Sequence, residues 1–419
     1  MKKRIGYGAC LAAAAFSASA AGADPGIDPG VNKGIGARLT QAITEGDVTF
    51  NTRLRYEHAD IDGLKEGDSV AIRPRLGYRT GRLAGFDGFA EYEGVYAIGG
   101  TGSYNSGPPY LDATNGNTDY APIVEPVDSQ INRAWLRYTA PGKTTLKTGR
   151  QRIIYDQARF IGNVGWRLNE QTFDAAELTT GALGEAVTLR YAYIWQQNFI
   201  AFNSNDMRTH LVNLEYRNNK AFGLSAFSYL IDYDDNVGAG DAPRFPGAPD
   251  QRTVGLRAAG KLADVGYEFQ YANQGQYADA PDTVDADYYL AELSYSRYPV
   301  TPTVGWEVAG GDGNYGFQFP LATNHAYFGW ADVFLVTPAD GLRDAYGALS
   351  WAPKRFKFQA VYHDFDADEG GRDYGNEVDA AAAYRFTDEL SVLAKFADYN
   401  SDGFAADTRR YWLQTTYVF

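Results

Sequence analysis

"VTFNTRLRYEH", residues 48–58, decides the fold. Successive side chains of an extended strand point to opposite faces, so Val48, Phe50, Leu54 and Tyr56 share one side, and Asn51, Arg53, Arg55 and Glu57 share the other. The next segment repeats the arrangement, with Val70, Ile72, Leu76 and Tyr78 opposite Arg73, Arg75 and Arg79. The same texture returns far along the chain. Tyr191, Tyr193 and Trp195 alternate with Arg190, Tyr267 and Phe269 flank Glu268, and Phe356, Phe358 and Tyr362 lie opposite Lys357, Gln359 and His363. One domain is expected over residues 48–419.

About 18 such segments can be marked, from 48–58 to 409–419. Their connections alternate in length. Short ones such as "APGK", "RNNK" and "FTDE" alternate with the long stretches 97–128, 156–172, 234–251, 273–285 and 311–341. Arginine decides which face meets what. An arginine turned toward lipid near the bilayer midplane costs roughly 2–4 kcal/mol, so Arg53, Arg55, Arg73, Arg75 and Arg79 must line a lumen while the aromatic faces meet the membrane. An open sheet would expose unpaired backbone groups to hydrocarbon, so the strands must close on themselves. The fold class expected is therefore all-β: a transmembrane antiparallel β-barrel of about 18 strands, with long extracellular loops and short periplasmic turns.

The two ends agree with that address. Residues 1–23 carry Lys2, Lys3 and Arg4, then a short apolar run, then small residues, the layout of a secretory signal peptide. Residues 24–47 read as an N-terminal periplasmic leader rich in Gly, Pro and Asp. Cys10, the one cysteine, lies within the signal segment, so no disulfide is expected in the barrel. No later stretch approaches 18 consecutive apolar residues, which excludes a helical membrane protein and leaves a barrel open. The chain closes on "RYWLQTTYVF", whose terminal Phe419 and nearby Tyr417 resemble the signal read by the outer-membrane insertion machinery.

A formal charge of −14 argues against a nucleic-acid partner. The 31 Tyr, 23 Phe, 7 Trp and 46 Gly, against two Met, suit strands and turns rather than helices. The partners expected are the lipid bilayer with its lipopolysaccharide, and an anionic solute or polysaccharide in the lumen. The early strands supply a cationic wall of Arg53, Arg55, Arg73, Arg75, Arg79, Arg133, Arg137 and Arg190. Arg150 and Arg152 are placed with them, on a strand whose facing the pattern does not settle. Guanidinium forks grip carboxylates in two-pronged fashion, so such a wall suits an anion. The same arginines can equally pair with Glu57, Glu91, Glu93, Glu177 and Glu268 to stiffen the barrel; Glu91 and Glu93 are expected in the lumen beside them.

Catalytic spacing is absent: the four His are scattered and no nucleophile elbow appears, so no enzyme and no cofactor are expected. Asp364, Asp366 and Asp368 alternate as in a calcium loop, but Glu369 stands where that motif needs Gly, and no metal site is assigned.

Residues 131–178 carry a more specific signal. The strand "AWLRYT", the "GRQ" of Gly149, Arg150 and Gln151, and the run "ARFIGNVGWRLNEQTFDA" resemble the alginate-export family of outer-membrane proteins. The resemblance implies an 18-stranded barrel with a cationic lumen that conducts a polyuronate. It places Arg133, Arg137, Arg150 and Arg152 at motif positions, and Arg159 and Arg167 in a loop that constricts the pore or is held by their hydrogen bonds. The functions expected are a passive anion channel, a general small-nutrient porin, or a plugged barrel acting as an adhesin or structural protein.

Overall fold

The computed structural model describes residues 29–107, 115–234 and 249–419; the expected signal segment lies outside them. Eighteen strands follow one another: β1 (Asp47–Ile61), β2 (Gly67–Arg79), β3 (Phe86–Ala97), β4 (Asp128–Ala140), β5 (Thr144–Gln151), β6 (Thr172–Thr180), β7 (Val187–Asn198), β8 (Ser204–Arg217) and β9 (Gly223–Ile231), then β10 (Gln251–Leu262), β11 (Val265–Gly275), β12 (Asp285–Tyr295), β13 (Val300–Ala309), β14 (Leu342–Trp351), β15 (Phe356–Asp366), β16 (Asp373–Arg385), β17 (Leu390–Ser401) and β18 (Thr408–Val418). Each pairs antiparallel with its neighbours in sequence, and β1 pairs with β18 in a register running from Asn51 opposite Val418 to Ile61 opposite Thr408. The ring is thereby closed and leaves no strand edge for hydrocarbon to meet. Phe50 and Phe419 exchange both backbone hydrogen bonds at the seam.

Alternation sorts the side chains as the sequence requires. Leu54, Leu76, Leu136, Trp306 and Leu413 stand exposed on the outside, while Arg55, Arg73, Glu57 and Glu93 are buried within. Four irregularities among the described residues bend the wall: Asn132 is an extra residue opposite β3, Trp195 is one opposite β6, β8 sets Met207 and Arg208 against the single Trp195 of β7, and the register shifts beside Phe365. Asn132 thereby joins Arg133 in turning toward Glu91, since an extra residue re-aims its neighbours.

One element departs from expectation. The leader forms a helix, α1 (Pro29–Thr44), although its glycines make it a poor helix former. Its end is pinned to the short-turn rim, where Gly81 donates its backbone N–H to the Ala42 carbonyl and the Tyr78 hydroxyl donates to that of Ile43.

Two of the long loops turn inward. Residues 152–171 and 310–341 run into the barrel and pack on each other: the Gly162 backbone N–H donates to the Leu321 carbonyl and that of Thr323 donates to the Ala158 carbonyl. On the side of β8 to β13 they complete a dry aromatic core. Phe160, Phe227, Tyr229, Tyr288, Phe317 and Phe319 are all buried there, with neighbouring ring centroids 4.9–6.3 Å apart. The polar part of the lumen is left on the side of β1 to β6.

A charged passage between the barrel wall and two inward loops

The register sets the cations beside one another. Arg53 of β1 lies directly opposite Arg73 of β2, and Asn51 opposite Arg75, so three guanidinium groups converge where the loops cross the lumen. Most of the surrounding arginines are neutralised. Arg75 pairs with Glu93 and, at 3.0 Å, with Glu170. Arg152 also reaches Glu170 (2.5 Å), Arg133 reaches Glu91 (2.7 Å), and Arg79 and Arg137 share Asp87 (3.0 and 2.8 Å). Arg190 lies further round the wall, with Glu215 at 3.1 Å.

Arg53 and Arg73 are the exceptions. Arg53 donates from Nη1 to the Gly165 carbonyl at 2.7 Å and has no hydrogen-bonded carboxylate. Arg73 is completely buried, and Nε, Nη1 and Nη2 all lack a hydrogen-bond partner among the described residues. Leaving a buried donor unsatisfied costs about 1–3 kcal/mol, more for a charged group, so this guanidinium is not there for stability. Its nearest opposite charges, Glu93 and Glu170, are already engaged by Arg75 and Arg152.

A second network locks the loops in place. Arg55 donates to Glu125 (3.0 Å), the Trp166 carbonyl (2.6 Å) and Gln414 (2.6 Å), and its guanidinium lies 4.2 Å from the Trp166 ring centroid. Arg167 joins Glu57 (3.1 Å) to Asp332 (2.8 Å), tying one inward loop to the wall and to the other loop. His325 stacks flat on Trp166, with centroids 4.6 Å apart and planes at 6°, and holds Asp332 at 2.7 Å. Lys395 Nζ closes the knot, 2.6 Å from His325 Nε2 and 3.7 Å from the Trp330 ring centroid. Burial holds the His325 imidazole down at about 3, against the pull of Asp332. Burial likewise pushes the Glu125 carboxyl up to about 7, although Arg55 and Arg167 oppose the rise.

Arg150, placed with the lumen wall, and Arg159, expected in a loop at the pore, both lie away from the passage. Arg150 has the outward parity of exposed Leu146 and pairs with Asp174 (2.8 Å) on the outer face. Alternation ends at Gln151, beyond which the chain leaves the strand, so Arg152 swings inward while Arg150 does not. Arg159 is enclosed in the dry core, paired with Glu307 (2.6 Å) and lying 3.6 Å from the Phe319 ring centroid. The acids behave largely as the pairing alternative had it: Glu57, Glu91, Glu93, Glu177 and Glu268 each meet a cation. Lys395 and Arg410 escaped notice in the sequence, although each has one aromatic neighbour in the chain, Phe396 and Tyr411. Asp368 is taken up by Arg343 (2.9 Å), and among the described residues no three His, Cys, Asp or Glu converge to hold a metal.

Below the loops, toward the short-turn rim, lies a cavity of about 580 Å³ lined by Arg53, Arg75, Arg79, Arg133 and Arg152 together with Glu91, Glu170, Phe89 and Trp135. A closed 18-stranded barrel with a charged, loop-narrowed lumen is a bacterial outer-membrane channel. The model of the alginate export family matches residues 111–401, and the chain belongs to that family. Solved structures with the same fold include Pseudomonas aeruginosa OpdK with vanillate (14% identity, 90% of this chain and 99% of that one, TM-score 0.68). Acinetobacter baumannii OccAB2 (17%, 90% and 99%, TM-score 0.67) and Pseudomonas aeruginosa OccK8, also called OprE (14%, 90% and 98%, TM-score 0.67), are similar. No curated protein matches the sequence.

Proposed function

We propose that the protein is a passive channel that prefers anions, with uronate-type carboxylates as its solutes, and that it carries out no chemistry of its own. The observation behind this reading is the pair Arg53 and Arg73, cations facing each other across β1 and β2 without a hydrogen-bonded carboxylate. Fixed positive charge at a constriction lowers the energy of an anion there and raises that of a cation. The ladder around them is mostly self-paired, so selectivity rests on these two rather than on the total count of arginines.

The two inward loops favour small solutes, monomers or short oligomers, over a long polymer, because the Arg167 and His325 contacts hold them across the lumen. This small-nutrient reading shares the same cations. Lipid and lipopolysaccharide surround the outer aromatic face, and the insertion machinery reads the end at Phe419, as further parts of the proposal. Bilayer recordings in a salt gradient test it. An anion-biased reversal potential supports the channel, and block by alginate oligomers but not by neutral oligosaccharides supports the uronate. A silent bilayer, or a cation-biased potential, overturns it.

A further inference from the structure

We infer that the cavity below the loops holds a subsite for a carboxylate carried on a six-membered ring, with Phe89 and Trp135 as its stacking plate. The inference rests on the anion-preferring reading above and adds which side chains hold the solute's ring. Phe89 of β3 and Trp135 of β4 are opposite one another in register and both face the lumen, with ring centroids 5.6 Å apart and planes at 27°. Phe89 is the base of the pair. It is seated over Gly77, where an added Cβ would come within 2.8 Å of its ring. Trp135 lies on top and is only half-buried, although the wall around it is charged.

Keeping an indole beside water in a polar passage forgoes the burial that a Trp ordinarily gains. A ring-bearing solute restores it. Cations flank the plate on the same wall: the Arg133 guanidinium lies 4.6 Å from the Phe89 centroid and that of Arg137 lies 5.5 Å from the Trp135 centroid. Both are held in place by Glu91 and Asp87. Arg53, whose Nε lacks a partner, lines the same cavity. The cavity, at about 580 Å³, falls within the roughly 300–1,000 Å³ of small-molecule sites. A flat aromatic ring and the C–H face of a sugar ring both stack on indole, and a carboxylate on either reaches the arginines. The shared chemistry is therefore a ring with an attached carboxylate.

The test is half-maximal block of chloride current through the full-length protein in planar bilayers, with glucuronate and benzoate as ring-bearing probes and acetate as the ringless control. Trp135→Ala should raise the half-blocking concentration of a ring-bearing probe about fivefold to tenfold, the scale of one aromatic stacking contact. Trp135→Phe should restore most of it, and acetate and the reversal potential should not move. An effect confined to benzoate assigns an aromatic acid, and one confined to glucuronate assigns a sugar acid; either supports the subsite. An equal loss for acetate, or no change for both ring-bearing probes, overturns it. Heat-modifiable mobility on gels reports folding, and should Trp135→Ala not fold, Trp135→Leu against Trp135→Phe makes the same comparison. Failure of the underlying reading shows separately, as a wild-type reversal potential without anion bias.

Discussion

Arg73 and Arg75 stand two residues apart on one face of β2, yet their surroundings assign them opposite energetic roles. Arg75 pairs with Glu93 and is one of two arginines on Glu170, so Arg75→Gln strands the buried Glu93 carboxylate while Arg152 still holds Glu170, and should destabilise the barrel by about 3–5 kcal/mol. Arg73 satisfies no hydrogen-bond acceptor, so Arg73→Gln removes an unmet cost and should leave stability unchanged or raise it by about 1–3 kcal/mol, while weakening anion preference. Urea unfolding in lipid vesicles reads the first quantity and reversal potential the second. Equal stability losses for the two variants would refute the distinction. The facing of both residues was legible from alternation alone. Which of them is neutralised was not, because Glu93 arrives from β3 and Glu170 from a loop, and only three-dimensional packing brings either to Arg75.

At the scale of elements, the strands were legible and the loops were not. A strand in lipid writes its two solvents into alternate residues, so all 18 segments could be marked from the sequence. A loop folded into a watery lumen has the same polar composition as one in bulk water, so composition does not betray that residues 152–171 and 310–341 turn inward; for the first, only the family resemblance around Arg159 and Arg167 pointed to the pore, and for the second nothing did. The helix α1 was missed for a similar reason, since its glycine-rich sequence favours no element. The lock between the two loops has a pH dependence. Freed, the His325 imidazole would titrate near its ordinary 6.5; buried beside Asp332, Lys395 and Arg167 it titrates at about 3. Its contribution is therefore complete above about pH 6.5 and is lost as pH falls toward 3. Against the cost of burial, His325 and Arg167 hold Asp332 below the usual carboxylate range, which adds loss at the acid end. Single-channel recordings between pH 7 and pH 4 should show larger or more frequent openings on acidification, with His325→Gln flattening the response. Conductance indifferent to pH in this window would count against the lock.

At the scale of the whole molecule, the barrel is held between two solvents. Leu54, near the middle of β1 and exposed outward, meets hydrocarbon; Leu54→Arg should cost roughly 2–4 kcal/mol in vesicle unfolding titrations. On the inside, Phe227→Ala opens a hole in the dry core and should cost about 3–5 kcal/mol. That second loss should leave ion preference intact, because the aromatic flank and the arginine flank are separate parts of the cross-section. An off-centre duct has a further consequence. A solute drifting through it touches only a few staves of the cask, those near β1 to β6, while the remainder serve as masonry. Sequence change on the masonry side is then felt in how long the vessel lasts, and change on the duct side in what it lets through.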